Sequence, residues 1–129
     1  MHKIDDYYNE VTNELEKIRY LTKNIKIEFD KSISLGQGIL KGSLVFLDNS
    51  VLHFNELVSD RKKRYRFHYM KYNNDLIMRW DSSPHYKNIS TFPYHIHMID
   101  QVKPSSPVTF VNVLNRIEKI ILDSLNKKK

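Results

Sequence analysis

Apolar residues recur at helical spacing near both ends of the chain and at alternate positions in between. Ile4, Tyr8, Val11, Leu15 and Ile18 fall four, three, four and three positions apart, which predicts an amphipathic helix from residue 4 to about 22. Ile25, Ile27 and Phe29 then alternate with Lys26, Glu28 and Asp30, the pattern of a half-buried strand. After the turn "LGQG", residues 39–47 and 51–58 read as two further strands joined at "DNS". With Asn49-Ser50 as a two-residue turn, Leu47 opposes Leu52, Val45 opposes Phe54 and Ser43 opposes Glu56. Glu56 then ends an apolar face, and His53 sits on a strand facing Phe46 or Leu44. A turn at Asp48-Asn49 slips these faces.

The next hairpin is self-consistent on both sides. With Asn73-Asn74 as the turn, Tyr69 opposes Met78 and Phe67 opposes Trp80 on an aromatic and apolar face. On the other face Met70 opposes Ile77, His68 opposes Arg79 and Arg66 opposes Asp81. Residues 82–107 hold all four prolines and little periodicity, yet Phe92, Tyr94, Ile96 and Met98 are too apolar for a disordered tether. They predict an ordered loop packed on the sheet. A last helix runs from about 108 to 125 with Val111, Leu114, Ile117, Ile121 and Leu125 on one face, started by Ser105 or Ser106 with Pro107 in its first turn. The expectation is one α+β domain over residues 1–129: an N-terminal helix, an antiparallel meander of about five strands, a long ordered loop and a C-terminal helix.

Composition narrows the function classes. With 28% charged and 40% apolar residues the chain is of the globular type, and no apolar run reaches the roughly 18 residues of a membrane helix. No signal-peptide pattern opens it, and the absence of cysteine removes disulfides, thiolate metal sites and a cysteine nucleophile. A reducing, cytoplasmic setting is the expectation. The net charge of +6 is uneven: residues 1–60 carry −3 and residues 61–129 carry +9. Five cations crowd into "RKKRYR" at 61–66, either a solvated strand start or a footprint for nucleic-acid phosphates through Lys62, Lys63, Arg64 and Arg66.

Three of the six histidines fall within residues 85–97. His68, Arg79, Asp81, His85, His95 and His97 are candidates for one pocket, with Glu56, Tyr65 and Tyr69 as additional candidate members. Three chemistries use such residues. In metal-independent RNA cleavage one histidine takes the 2′-hydroxyl proton, a second acid protonates the leaving oxygen and arginine steadies the phosphate. His68 and His85 would be the acid–base pair, Arg79 the phosphate anchor and Asp81 the orienting carboxylate. In a divalent-metal site, His95 and His97 point the same way from an extended segment, with His85 and Asp81 to complete the set. In pure binding, the same groups stack on exposed bases. No phosphate-binding glycine loop and no HExxH is present.

The stretches "YRFHYM" (65–70), "MRWDSSPHY" (78–86) and "TFPYHIHM" (91–98) resemble, in the same order, the TumE family of toxins from toxin–antitoxin modules. The likeness spans about residues 39–125 and rests on Tyr65, His68, Tyr69, Arg79, Asp81, Pro84, His85, Phe92, Pro93, His95 and His97. Pro84, Phe92 and Pro93 look architectural. Ser82-Ser83 stand where the family form has Asn-Ala, and Tyr86 replaces its second histidine. The resemblance implies a small cytoplasmic toxin neutralised by a co-encoded antitoxin of helix-turn-helix type, and by class analogy a ribonuclease. The competing expectation is a non-catalytic module that binds nucleic acid or protein. Apolar side chains on both faces of residues 39–47 leave a face for an antitoxin or a second copy to cover.

Overall fold

In the computed structural model, which describes residues 3–32, 34–59 and 63–127, two helices lie on one face of a seven-stranded antiparallel sheet. The chain runs α1 (Lys3–Ile18), a 3-10 turn (Arg19–Leu21), β1 (Thr22–Ser32), β2 (Gln37–Phe46), β3 (Val51–Ser59), β4 (Arg64–Met70), β5 (Leu76–Asp81), β6 (His95–His97), β7 (Val102–Pro104) and α2 (Phe110–Lys127). Each strand pairs with the next in sequence, so the sheet is an uninterrupted meander. The α+β class and the order of elements are as the sequence predicts. The strand count is not. β6 and β7 are three residues each and lie inside the segment expected to be a loop, so the sheet has seven strands rather than about five.

Alternation decides which face is inside. Leu40, Leu44, Leu52, Phe54, Tyr65, Phe67, Tyr69, Met78 and Trp80 are buried on the helix side, against Val11 and Ile18 of α1 and Phe110, Val113, Leu114, Ile117 and Ile121 of α2. Phe110 packs on Phe54 and Phe67 with ring centroids 4.5 and 6.3 Å apart. Burying one such side chain contributes roughly 1.5–3 kcal/mol. Tyr8 and Leu125, expected on the apolar faces, are exposed; Tyr8 stacks on Phe29 of β1 at 4.7 Å instead. The start of α2 is also corrected. Thr109, not Ser105 or Ser106, caps it: the Asn112 N–H donates to Thr109 Oγ1 while the Asn112 side-chain oxygen accepts from the Thr109 N–H.

The two tight hairpins share one device. Phe46 and Ser50 bracket a three-residue loop in which Asn49 adopts φ 68°, and Lys71 and Asp75 bracket another in which Asn74 adopts φ 72°. Asparagine tolerates this left-handed backbone because its amide bonds locally. Three residues in the first loop shift the β2–β3 register from the expected one: Leu40 opposes Glu56, Ser43 opposes His53 and Leu44 opposes Leu52. In the second hairpin the extra loop residue pairs Met70 with Leu76 rather than Ile77. An irregularity beyond Met70 restores Tyr69 to Met78, Phe67 to Trp80, His68 to Arg79 and Arg66 to Asp81, as expected from sequence. No helix among the described residues is long and apolar enough to cross a membrane.

Gly42 lets β1 lie close over β2. It has φ 154°, and a Cβ there would overlap the Lys26 carbonyl oxygen and stand 2.9 Å from the carbonyl carbon. Gly42→Ala should therefore lower unfolding free energy by roughly 3 kcal/mol, from clash and strain together. Urea denaturation against the wild type measures it; a loss below about 0.5 kcal/mol would mean that the β1–β2 approach is soft.

Candidate functional site

The face of the sheet away from the helices carries two polar rows, each running straight across the strands. In one, Ser43, His53, His68, Arg79 and His97 are successive register partners from β2 to β6. In the other, Lys41, Asn55, Arg66, Asp81 and His95 are. Adjacent strands lie about 4.8 Å apart, so direct partners bring their side chains into contact range. Arg66 and Arg79 share the β4–β5 part of this surface with His68 between them.

Asp81 is the node of the second row. Its side chain is 5% exposed, and Oδ2 lies 3.5 Å from Arg66 Nε and 3.7 Å from Arg79 Nε. Oδ1 accepts hydrogen bonds from the Ser83 N–H at 2.8 Å and the Ser83 hydroxyl at 2.7 Å. Burial pushes this carboxyl up, but the Ser83 hydrogen bonds and the charge of Arg66 outweigh it and hold Asp81 below the usual carboxylate range. The Arg66 pairing expected from sequence is present, and Asp81 also serves the turn that follows.

His68 and His97 flank Arg79. Both rings are held below the ordinary histidine range, first by burial and then by the Arg79 charge. Both are thus neutral bases near neutral pH. A pocket of about 430 Å³ opens over His53, His68, Asn55, Arg66 and Arg79. Next to it, sharing Asn55 and Arg66, runs a groove of about 960 Å³. Ile39, Leu57, Phe92, Pro93 and Tyr94 give its apolar walls, and Lys63, Arg64 and Arg66 its cations.

The TFPYHIHM segment forms the far wall. A cis Phe92–Pro93 peptide leads into β6, where His95 is buried and His97 half-buried. His95 Nε2 and His97 Nε2 lie 3.0 Å apart, and one ligating atom each of Asp81, His95 and His97 falls within 4.8 Å of the others. Tyr86 packs edge-on against both rings at 4.9 and 5.2 Å. His85 stays outside. It is exposed at the turn, and its ring makes no hydrogen bond to the described residues. Of the expected metal set, His95 and His97 come together with Asp81 and not with His85.

Other expected pocket members face inward. Glu56, Tyr65 and Tyr69 have the parity of Phe54 and Phe67, so alternation turns them to the core. Tyr7 donates to Glu56 Oε1 at 2.6 Å, the Tyr65 hydroxyl accepts from the Val108 N–H at 3.3 Å, and the Tyr69 hydroxyl pairs with Ser50 at 2.9 Å. Only Tyr65 reaches the rim of the groove. Of the basic cluster, Lys63 and Arg64 are exposed along the groove, Arg66 spans groove and pocket, and Lys62 lies outside the described residues.

A model of the family described as "Toxin TumE" matches residues 12–125. The chain belongs to the TumE toxin family. Comparison with curated proteins and with solved structures returned no match. Membership makes the protein the toxin of a toxin–antitoxin module, with a cognate antitoxin as partner. The match begins in α1 and takes in all of β1, well ahead of residue 39 where the resemblance starts. In the candidate site, sequence reasoning gave no role to His53, Asn55, Ser83 or Tyr86. Alternation from the buried Leu52 and Phe54 would have placed His53 and Asn55 on the open face.

Glu56 generates a pH-dependent stability. Burial raises its carboxyl from 4.5 to about 7 against the Tyr7 hydrogen bond and the Lys63 charge. Between those values the folded state binds the proton more tightly than the unfolded state. Its stabilisation is fully present below pH 4.5 and is lost as pH rises through about 7. Glu56→Gln, which keeps an acceptor for Tyr7, should remove a decline on the order of 3 kcal/mol across that window. Urea denaturation of both proteins at several pH values tests this; parallel curves would show that Glu56 is ionised normally.

Proposed function

We propose that this toxin acts in the cytoplasm as a ribonuclease, by acid–base chemistry on the open face of its sheet. What supports the reading is one juxtaposition: His53, His68, Arg66 and Arg79 line a single pocket of about 430 Å³. Two imidazoles beside two guanidinium groups are the parts that metal-independent phosphodiester cleavage requires. Arg79 and Arg66 hold the non-bridging phosphate oxygens. His68, neutral because burial and the neighbouring arginines disfavour its cation, takes the proton of the 2′-hydroxyl. The 2′-oxygen attacks phosphorus, the bond to the 5′-oxygen breaks, and His53 delivers a proton to that leaving oxygen. The products are a 2′,3′-cyclic phosphate and a 5′-hydroxyl.

In this reading the second acid–base role passes from His85 to His53, because His53 is the register partner of His68 and His85 is not in the pocket. The adjoining groove receives the flanking nucleotides. Lys63, Arg64 and Arg66 neutralise phosphates, and Phe92 and Tyr94 offer ring faces to unstacked bases. This favours single-stranded RNA, since only unstacked bases reach such walls.

Incubating purified wild type and variants with a single-stranded RNA, and scoring fragments and their termini, tests the reading. His68→Ala and Arg79→Ala should each reduce cleavage by about a hundredfold or more with circular dichroism unchanged. His85→Ala should stay within about threefold of wild type. The rate should rise with pH through the His68 titration, with a midpoint below the ordinary 6.5. Intact RNA, alongside growth arrest in cells expressing the same protein, would remove nuclease activity and leave a toxin that works by binding.

A further inference from the structure

Asp81, His95 and His97 are not needed for the acid–base chemistry above, yet their geometry is that of a ligand set. Asp81 and His95 are direct partners on β5 and β6, and His97 projects from the same side of β6 two residues on. The Pro93 carbonyl lies 2.9 Å from His95 Nδ1. A carbonyl can only accept, so Nδ1 carries the proton and Nε2 presents a lone pair. That lone pair faces His97 Nε2 at 3.0 Å. Two imidazole nitrogens on one tetrahedral zinc, each about 2.0–2.1 Å from it, stand about 3.3 Å apart.

We propose that Asp81, His95 and His97 bind a divalent transition cation of the zinc type. The supporting groups are those a metal site uses to aim its ligands. The Pro93 carbonyl fixes the His95 ring, and Ser83 holds Asp81 Oδ1 through two hydrogen bonds, leaving Oδ2 for the cation. Tyr86 lies edge-on to both imidazoles and shields one side. Two nitrogens and one carboxylate favour zinc and its neighbours over magnesium or calcium, which take all-oxygen shells. Three protein ligands leave a fourth position open, as in catalytic rather than structural zinc sites.

Arg66 and Arg79 oppose a cation at Asp81. Their Nε atoms stand 3.5 and 3.7 Å from Oδ2, too far for strong hydrogen bonds, and the Arg66 side chain is 60% exposed. The metal would take over as the partner of the buried carboxylate while Arg66 swings outward. The competing arrangement is a plain hydrogen bond from His97 Nε2–H to His95 Nε2, with no ion.

The test uses tag-free full-length protein, stripped with a chelator, desalted and titrated with zinc or cobalt(II) in the absence of RNA. Its outcome is therefore separate from that of the ribonuclease assay. One equivalent should bind, cobalt should give visible ligand-field bands, and zinc at a hundredfold excess over Kd should raise Tm by roughly 10 °C. His95→Ala and His97→Ala should each weaken binding by at least about a hundredfold, and His85→Ala should not change it. Should the variants fold poorly, imidazole nitrogen NMR of the wild type decides: zinc should shift Nε2 of both His95 and His97. Nε2 signals unmoved by zinc, or cobalt binding that survives both substitutions, would overturn the site.

Discussion

Phe110, at the first turn of α2, fills the space over Phe54 and Phe67, with centroids 4.5 and 6.3 Å away. That contact fixes which face of β3 and β4 is inside. Strand side chains alternate with a period of two, so every neighbouring choice follows. Phe54 inward puts His53 and Asn55 outward; Phe67 inward puts Arg66 and His68 outward; Trp80 inward puts Arg79 and Asp81 outward. A slip of one residue would bury two arginines and expose the aromatic core. The polar rows are therefore held in place by the hydrophobic face behind them rather than by their ion pairs, which at Asp81 are long contacts of 3.5 and 3.7 Å.

How much of this could be read in advance depends on the length of each signal. The β4–β5 hairpin gave four register pairs correctly because both of its faces had to agree, an aromatic one and a charged one. The β2–β3 register did not follow. A two-residue turn and a three-residue turn ending in left-handed Asn49 use the same residues, and only the backbone distinguishes them. Glu56 was placed on the apolar face by sequence and still counted toward the pocket; the carboxylate is instead stabilised inside by Tyr7, 49 residues away. No local pattern announces a partner at that separation.

β6 is the instructive case. "YHIHM" alternates apolar and polar over five positions, a strand pattern placed amid prolines and too brief to stand against the loop signals around it. Its histidines were read as pointing together, and they do. Asp81 and His85 are both expected from sequence to complete the set, and only one of them does. Asp81 joins them because β5 and β6 pair directly, whereas His85, only ten residues before His95, is carried away by the exposed turn between those strands. Register outweighs proximity in sequence.

Arg79 lies between the two proposed centres. It lies between His68 and His97 in one row, and its Nε is buried without a hydrogen-bond partner among the described residues, 3.7 Å from Asp81. An unsatisfied buried donor costs about 1–3 kcal/mol, more when charged. The rest of the fold sustains that cost, because moving Arg79 would mean moving Trp80 out of the core. Arg79 also lines the pocket on the open face, so an anion arriving there meets a cation already held in place. Electrostatic groups fixed ahead of the charge they meet are those that contribute most to binding and to transition states. The same rigidity means that a change at Asp81 reaches both sides of the row: it would release Arg79 on one side and leave the paired histidines without their carboxylate on the other.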